Sequence, residues 1–441
     1  MLIVASTGGG SRHDILSLVI LRPVAVLGCA FAAWRLAPEH FRQHRFAFGL
    51  MAAVVALTLM HLVPLPPAIW QALPGRDLIV DIDAGAGLVG MYRPVSLAPP
   101  ETRNALFSLF VPLAILLGGA GLERPLLERL LLVVVMIGLV SGVLGLLQLA
   151  DSPTGPLFLY RHTNYGAATG LFANRNHQAV LLATLFPMLA VLVTAYAHTE
   201  HAARVRYGAL AAGVFLIPLL LITGSRAGIV AGVLGLASIP FLLRAGGKGA
   251  PPLAPASGRR WLRSPAIPFA VGMILAIGLA ALTIGLSRAE SVDRLFAVGT
   301  EEELRFKVWP VIAAAIPTYL PIGSGIGSFA PVFQIVEPDR ILRPTYLNHA
   351  HNEVLEVLLT AGLPGAALML AAAGGWIVAA GRAFRMPIDA AGVPFARLGI
   401  VVIGLLAIGS IGDYPMRTPL LAALLALATL WSGRLSHRSV K

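Results

Sequence analysis

The sequence contains a single cysteine, Cys29, which lies in an apolar run. One thiol cannot form a disulfide within the chain or build a cysteine-based metal site. The first residues also lack the short apolar region and small-residue cleavage site of a signal peptide. Charged residues are scarce, at 12% of the chain against 57% hydrophobic residues. This composition excludes a set of soluble domains, which the length of 441 residues would otherwise allow.

The chain has instead a series of long, nearly uncharged stretches. A membrane-spanning helix needs about 20 apolar residues at 1.5 Å per residue. About eleven stretches (10–12) approach that length: 15–35, 46–65, 105–121, 130–150, 178–197, 208–223, 228–243, 266–286, 353–381, 397–411 and 418–432. We therefore expect an all-α polytopic membrane protein that forms one membrane domain over residues 1–441.

The net charge of +12 is distributed unevenly over the connecting loops. Five segments carry more Lys and Arg than Asp and Glu: 35–45, 198–206, 244–263, 382–397 and 434–441. The alternate loops 66–104 and 287–350 are balanced or slightly acidic. Because positive loops stay in the cytoplasm, we interpret 244–265 as a basic cytoplasmic linker and 66–104 and 287–350 as outer loops. The positive charge therefore indicates which loops face the cytoplasm, and we expect no nucleic-acid partner.

Two local signals predict helices in and after the long outer loop 287–350. Thr300 followed by Glu303 has the spacing of a capping box, so a short helix should begin there and bend or end at Pro310. The apolar helix that follows Asn352 would extend about 45 Å, which is too long for one straight span. We expect Pro364 and its neighbouring glycines to bend it.

The densest polar cluster closes the long outer loop, where the sequence reads Asn348-His349-Ala350-His351-Asn352-Glu353. Imidazole titrates near neutral pH, so His351 is a candidate general base at the water side of a membrane helix. His349 competes for that role, and Glu353 and Glu356 could orient the base or line a sugar pocket. The alternative is that Asn348 or Asn352 caps the next helix while the histidines lie in the headgroup layer.

Two arginines on the outer side are candidates for binding a phosphate. Arg226 lies in the tight turn 223–228 between two spans, where an arginine is costly unless it has a function. Its planar guanidinium offers paired donors and a permanent charge to a phosphate, and the alternative is a headgroup anchor. Arg305 has the same chemistry, but Glu301 or Glu302 in its own helix could pair with it instead.

A polar turn, Asn174-Arg175-Asn176-His177, precedes the span 178–197. Helix capping explains one asparagine but not four adjacent polar residues, so we take this turn as a candidate substrate-binding segment.

Three further patterns have simpler interpretations than a functional site. Asp81 and Asp83 resemble the metal-binding acid pair of many sugar transferases, but paired loop aspartates are common. The turn 323–327 is glycine-rich like a phosphate loop, but no strand and helix flank it, so we interpret it as a close-packing turn. Asp413 and Arg417 lie in a short outer loop, and we expect an ion pair between them.

Five motifs occur in order along the outer side of the chain: Phe172-Ala173-Asn174-Arg175-Asn176-His177; Thr223-Gly224-Ser225-Arg226-Ala227-Gly228; Arg305 with Trp309; Pro321-x-Gly323-x-Gly325-x-Gly327-x-Phe329; and His351-Asn352-x-x-Leu355 with Gly362-Leu363-Pro364-Gly365. In this combination they resemble the bacterial O-antigen ligase and polymerase family, integral-membrane glycosyltransferases of the GT-C type. The similarity is strongest from Gly170 onward, and the stretch 96–102 looks like the family's first outer loop.

The resemblance implies inverting transfer of an undecaprenyl-diphosphate-linked glycan at the periplasmic face of the bacterial inner membrane, without a metal or other cofactor. It implies that His351 deprotonates the acceptor hydroxyl and that Arg226 and Arg305 hold the diphosphate. Two arginines can stabilise the leaving charge where other transferases use a metal. The remaining polar residues would bind the substrates: Asn174, Arg175, Asn176, His177, His349, Asn352, Glu353 and Glu356.

The acceptor divides this family into polymerases, which extend one lipid-linked glycan with another, and ligases, which use lipid A-core. The motif 413–419 favours an exopolysaccharide or O-antigen polymerase, with a ligase as the alternative. Expected partners are the bilayer, the lipid-linked donor, the acceptor and chain-length regulator proteins. A hypothesis from another class is a transporter or flippase of lipid-linked glycans, which would predict internal repeats and charges near the middle of broken helices.

Overall fold

The computed structural model describes residues 1–152, 155–243, 278, 300–342, 346–388 and 390–433. Within these ranges the helices, in chain order, are α1 (Leu2–Thr7), α2 (Leu18–Arg35), α3 (Pro38–Gln43), α4 (Arg45–Met60), α5 (Pro67–Gln71), α6 (Asp77–Gly85), α7 (Pro99–Ser108), α8 (Phe110–Ala120), α9 (Arg124–Ala150), α10 (Arg175–Ala195), α11 (Ala202–Leu221), α12 (Arg226–Leu243), α13 (Thr300–Tyr319), α14 (Phe329–Val336), α15 (Glu353–Arg385), α16 (Val393–Gly412) and α17 (Pro419–Gly433). Short 3₁₀ turns cover Asp339–Ile341 and Pro415–Arg417, and two-residue strands β1 (Pro64–Leu65) and β2 (Arg93–Pro94) pair antiparallel.

In the described part of the chain, eight helical segments are long and apolar enough to cross a membrane, with α7 and α8 counted as one segment. The shorter apolar helices α4 and α17 add two more candidates. These helices coincide with ten of the eleven predicted spans, so the prediction of an all-α polytopic membrane protein is confirmed. The predicted span 266–286 and the linker 244–265 lie outside the described residues.

α10 is the central helix of the bundle and packs against α9, α11, α12 and α16. Of its most apolar 18-residue stretch, 78% is buried inside the protein, compared with 22% for α2. A helix that is apolar on every side belongs in the centre of a bundle, where other helices cover it. The polar turn at its N-terminus is therefore held in place by the surrounding helices.

Small residues on α12 allow it to approach α10 closely. A Cβ atom at Gly228 would stand 2.2 Å from the Cβ of Ala179, and one at Gly235 would stand 2.7 Å from the Ala183 carbonyl oxygen. Stripes of small residues are a common basis of helix association in membranes, because lipid tails give apolar helices no hydrophobic reason to associate. This contact positions Arg226, the first residue of α12, beside the central helix.

The glycine-rich turn 323–327 packs against the first outer loop. The backbone N–H of Leu97 donates to the carbonyl of Ser324 at 2.8 Å. A Cβ at Gly325 would stand 2.6 Å from the Cα of Ser96, so only glycine permits this approach. The interpretation of the turn as a close-packing element is confirmed.

The helix that begins at Thr300 is longer than predicted. α13 continues through Pro310 and Pro317 to Tyr319. Of the two predicted outcomes, a bend or an end at Pro310, the end is therefore wrong. A proline inside a helix removes one backbone hydrogen bond. Packing offsets that loss here, because the side chains of Val308 and Ile312 on either side of Pro310 are fully buried in an apolar cluster.

The predicted bend in the long helix after Asn352 is present in α15. It falls at Gly362, whose φ of 58° and ψ of −149° are not helical. The backbone N–H of Leu363 donates to the Pro321 carbonyl at 2.8 Å, and a Cβ at Gly362 would stand 2.2 Å from that same oxygen. The bend therefore docks α15 against the end of α13, and it needs a residue without a side chain.

We predict that Gly362→Ala destabilises the protein by about 1–3 kcal/mol, because alanine is strained at positive φ and its Cβ meets a backbone carbonyl. The midpoint of thermal unfolding in detergent measures this loss. Gly374→Ala in the same helix is the matched control, since a Cβ there meets nothing within 4 Å. Alanine should be neutral or stabilising at Gly374, and equal midpoints for the two variants would contradict the role of Gly362.

Candidate active site

A polar cavity of about 320 Å³ lies where α16 ends and α10 and α15 begin. Five of the predicted site residues contribute to its wall: Asn174, Asn176, His177, Arg305 and His351. Tyr414 and Asn348 complete this part of the wall. The tertiary structure thus brings together residues from the polar turn, the long outer loop and the last outer loop of the chain.

The carboxylate of Asp413 is the centre of this cluster. Asp413 follows the last residue of α16 and is only 2% exposed. Its Oδ2 accepts hydrogen bonds from Nδ2 of Asn176 at 2.6 Å and from Nδ2 of Asn174 at 3.3 Å. Its Oδ1 accepts the backbone N–H of Tyr414 at 2.9 Å. A buried carboxylate requires such donors, because burial of an unpaired charge is very costly.

His351 contacts the same carboxylate. Its Nδ1 lies 3.2 Å from Oδ1 of Asp413, and the imidazole borders the cavity. The backbone of His351 has a φ of 51°, the left-handed conformation that residues other than glycine rarely adopt. Non-glycine residues are held in this conformation mainly where the surrounding structure requires a particular side-chain direction, often in functional sites.

Arg305 reaches the cluster from α13. Its Nη1 donates to the Gly412 carbonyl at 2.9 Å, and its Nη2 lies 3.5 Å from Oδ2 of Asp413. Burial alone would raise the pKa of Asp413, but interaction with His351, His177 and Arg305 holds that pKa well below its ordinary value. Asp413 is therefore ionised at neutral pH.

His177, in the first turn of α10, is almost fully buried at 1% exposure. Its Nε2 lies 3.6 Å from Oδ1 of Asp413. Its ring meets Phe172 and Tyr414 edge to face, with centroids 6.3 Å and 5.1 Å away. His177 thus places a second imidazole beside the Asp413 carboxylate.

A second ionic network, centred on the buried Glu356, lies beside the first. Glu356 accepts from Nη1 of Arg417 at 2.9 Å and from the backbone N–H of Ala350 at 2.8 Å, and it contacts Nδ1 of His349 at 2.9 Å. Arg417 also forms a two-point contact with Glu353, at 2.8 Å and 2.7 Å. Burial alone would lower the pKa of Arg417, but the carboxylates of Glu353 and Glu356 raise it.

Tyr414 separates the two networks. Its ring lies 4.3 Å from the ring of His349 and 4.9 Å from that of His351, measured between centroids. Its hydroxyl is 3.4 Å from the side chain of Asn348. Burial and the neighbouring charge of Asp413 raise the pKa of Tyr414 above its ordinary value, so the hydroxyl stays protonated.

The expected ion pair between Asp413 and Arg417 is wrong. Asp413 interacts with Arg305 and His351, whereas Arg417 interacts with Glu353 and Glu356. The two residues are close in sequence, but the fold brings different charged side chains to each of them. Sequence reasoning therefore missed Asp413, Tyr414 and Arg417 as site residues. Their signal was their position in a short polar loop within an otherwise apolar C-terminal region.

The capping alternative is correct for two asparagines. Asn352 caps α15 by accepting from Val354 N–H and Leu355 N–H, at 3.0 Å and 3.1 Å. Asn174 caps α10 by accepting from Asn176 N–H at 2.8 Å. Asn174 also binds Asp413, so capping and a site role coincide in one residue.

The other predicted residues are not part of the cavity wall. Arg226 begins α12, where the backbone N–H of Gly228 donates to Oγ of Ser225 at 3.0 Å. The backbone N–H of Arg175 donates to Asn164 at 3.1 Å. Among the described residues that line the cavity, neither arginine appears, nor do His349, Asn352, Glu353 and Glu356. In the first outer loop, Asp83 is bound by both Nε and Nη2 of Arg93.

The fold and the polar cavity define a polytopic helical membrane protein with a buried ionic site at one end of its bundle. Residues 211–370 match the model of the O-antigen ligase family, so this segment of the chain is similar to that family. The segment includes Arg226, Arg305 and His351, whereas the polar turn of α10 and Asp413 lie outside it. No curated protein matches the chain. The family indicates, in broad terms, a membrane enzyme that transfers glycosyl groups.

We predict that Arg417→Ala destabilises the protein by about 3–5 kcal/mol, because it leaves the buried Glu356 without its cationic partner. SDS-induced unfolding followed by circular dichroism measures the effect. Arg124→Ala is the matched control, because Arg124 forms a partly exposed pair with Glu128. Loss of such a pair should cost about 1 kcal/mol or less. A similar cost for both variants would show that the Arg417 network is not a supporting element.

Proposed function

We propose that the protein transfers or polymerises an undecaprenyl-diphosphate-linked glycan at the periplasmic face of the bacterial inner membrane, as an exopolysaccharide or O-antigen polymerase or as an O-antigen ligase. The observation that carries this proposal is the contact between His351 and the buried Asp413 at the wall of the polar cavity. The O-antigen ligase match over residues 211–370 supports the same class of reaction.

His351 is the proposed general base. When its Nδ1–H donates to Asp413, Nε2 carries the lone pair that can accept a proton. Nε2 takes the proton of the acceptor hydroxyl while the acceptor oxygen attacks the anomeric carbon from the side opposite to the diphosphate. The bond from that carbon to the phosphate oxygen breaks, and the lipid diphosphate leaves with the bonding electrons. Asp413 positions the imidazole and stabilises the imidazolium.

His349 is the weaker candidate for the base. Its Nδ1 contacts Glu356 at 2.9 Å, within the network that Arg417 holds, and its ring packs against Tyr414. It is not among the described residues that line the cavity. We therefore assign His349, Glu353 and Glu356 a supporting role behind Tyr414, and Asn174, Asn176 and His177 a role at the substrate.

Arg305 and Arg226 are proposed to hold the diphosphate. Arg305 lies in the cavity wall, and its guanidinium is oriented by the Gly412 carbonyl. α10 and α15 both begin beside the cavity, so their positive dipole ends also favour an anion there. Fixed positive charge of this kind stabilises a leaving diphosphate without a metal, as expected for an inverting GT-C-type membrane glycosyltransferase.

Placement of the cavity at the periplasmic face is supported by the charge of the loops. The basic loops 35–45, 198–206 and 382–397 join the helices at the end of the bundle opposite to the cavity. Positive loops stay in the cytoplasm, so the cavity end faces outward. A transporter would place its polar site near the middle of the membrane, whereas the described ionic clusters lie at one end.

The first test is donor consumption by the purified protein with a lipid-linked oligosaccharide, candidate acceptors and EDTA. His351→Ala should lower kcat by about 10²-fold or more, because a general base contributes about that much. Arg226→Ala and Arg305→Ala should lower kcat by about 10²–10³-fold through lost stabilisation of the leaving charge. Analysis of the product identifies the acceptor, and thereby a polymerase or a ligase.

His201→Ala is the control for this assay, because His201 is an exposed histidine at the opposite end of the bundle. It should retain wild-type activity. Loss of wild-type transfer in EDTA would refute the metal-independent mechanism. If the protein moves the lipid-linked glycan across liposome membranes but transfers no glycan, the protein is a transporter and not a glycosyltransferase.

A separate prediction concerns the carboxylate behind the base. Asp413→Asn keeps the size of the side chain but removes its charge, so the imidazole loses its orientation and the imidazolium its stabilisation. We expect kcat to fall by about 10²-fold or more while the donor KM changes little. The exposed Asp77→Asn is the control. If KM rises and kcat is unchanged, Asp413 acts in substrate binding and not through His351.

A further inference from the structure

Part of the cavity wall has no role in the chemistry above. It is formed by the segment 8–15 at the N-terminus, by the loop before α10 and by the end of the long outer loop. The side chains that it presents to the cavity include Arg12, Thr163, Asn164, Glu337 and Tyr346. These residues share one cavity with His351 and Arg305 but touch neither the Asp413 carboxylate nor the Arg417 network within the described contacts.

The N-terminal segment is locked onto this wall by its backbone. Gly9 N–H donates to the hydroxyl of Tyr160 at 2.8 Å, and the Gly9 carbonyl accepts from Ala173 N–H at 3.1 Å. A Cβ at Gly9 would stand 1.8 Å from the Leu171 carbonyl oxygen, so a larger residue cannot take this path. The residues that follow Gly9 are thus held over the cavity in a defined position.

Arg12 and Tyr346 form a preorganised pair on this wall. Arg12 binds Asp14 through Nε and Nη2, at 2.9 Å and 2.7 Å. Its guanidinium carbon lies 5.4 Å from the centre of the Tyr346 ring. Tyr346 remains 44% exposed, so it offers apolar ring surface next to a fixed set of hydrogen-bond donors.

Hydrogen-bond donors and acceptors lie next to one another on this wall. Arg12 supplies donors and Glu337 supplies a carboxylate. The amide oxygen of Asn164 accepts from Arg175 N–H at 3.1 Å, which leaves the amide N–H groups for the cavity. A ligand with many negative charges would meet the carboxylate of Glu337 there. A neutral ligand with many hydroxyls matches the set, because each hydroxyl can donate to a carboxylate and accept from a guanidinium or an amide.

We propose that Arg12, Asn164, Glu337 and Tyr346 form a sugar-binding wall, which holds a sugar unit of the glycan beside the His351 base. The cavity volume of about 320 Å³ restricts the wall to the sugars next to the reacting bond. The apolar face of a pyranose ring packs on Tyr346 while its hydroxyls bind the polar groups. That the sugar belongs to the transferred glycan rests on the proposed function. Binding of a sugar to the wall can be measured whether or not the protein transfers glycan.

The test separates sugar binding from diphosphate binding. Two probes are titrated against the purified full chain: the oligosaccharide released by mild acid from the lipid-linked glycan of the native cells, and undecaprenyl diphosphate alone. Tyr346→Ala should weaken oligosaccharide binding by about tenfold, because it removes the stacking surface, and Arg12→Gln should weaken it as well. Tyr346→Phe, which keeps the ring, should bind nearly as wild type.

Tyr92→Ala is the matched control, because Tyr92 is 64% exposed and lies in the first outer loop away from the cavity. Neither control nor wall variant should change the affinity for undecaprenyl diphosphate. The proposal is overturned if wild type and Tyr346→Ala bind the oligosaccharide with equal affinity. It is also overturned if Tyr346→Ala loses affinity for undecaprenyl diphosphate alone. Oligosaccharide binding that depends on Tyr346 in a protein without transfer activity supports the wall while the proposed function fails.

Discussion

The buried carboxylate of Asp413 imposes the main constraint on this end of the molecule. A charge with 2% exposure needs several donors and a cation around it. Those groups come from three distant parts of the chain: the polar turn at the N-terminus of α10, Arg305 in α13 and His351 before α15. The hydrogen bonds and ion pairs of this one carboxylate therefore bring together the candidate base, a candidate diphosphate ligand and two asparagines of the cavity wall.

The surrounding structure holds these groups in fixed positions relative to one another. The Arg417 network fixes the start of α15 through Glu353 and Glu356, and Tyr414 fills the space between that network and Asp413. The bend at Gly362 docks the same helix against the end of α13. These contacts hold the helix that follows His351 in place. A general base needs such a fixed support if it is to meet a hydroxyl at a defined position.

The cavity combines two kinds of recognition within the proposed reaction. Fixed positive charge from arginine and helix N-termini suits a diphosphate, whereas the mixture of donors, acceptors and aromatic surface around Arg12 and Tyr346 suits a neutral sugar. The central position of α10 joins these two halves, because its first turn lines the cavity and its body packs against four other helices. Changes in the sugar could then be accommodated on the wall without altering His351, Asp413 or Arg305.

Composition and hydropathy determined the fold class, and loop charge predicted the sidedness, because a bilayer demands long apolar helices and retains positive loops. Local motifs also predicted site roles for His351, Arg305 and the turn 174–177, and all of these except Arg175 line the cavity. Only the tertiary structure decided the partners: Asp413 with Arg305 rather than Arg417, Glu356 with His349, and the N-terminal segment with the cavity. The physical reason is that these contacts depend on which helix ends meet in space. Residues as distant in sequence as Asn174 and Asp413, which are 239 positions apart, carry no local sign of that contact.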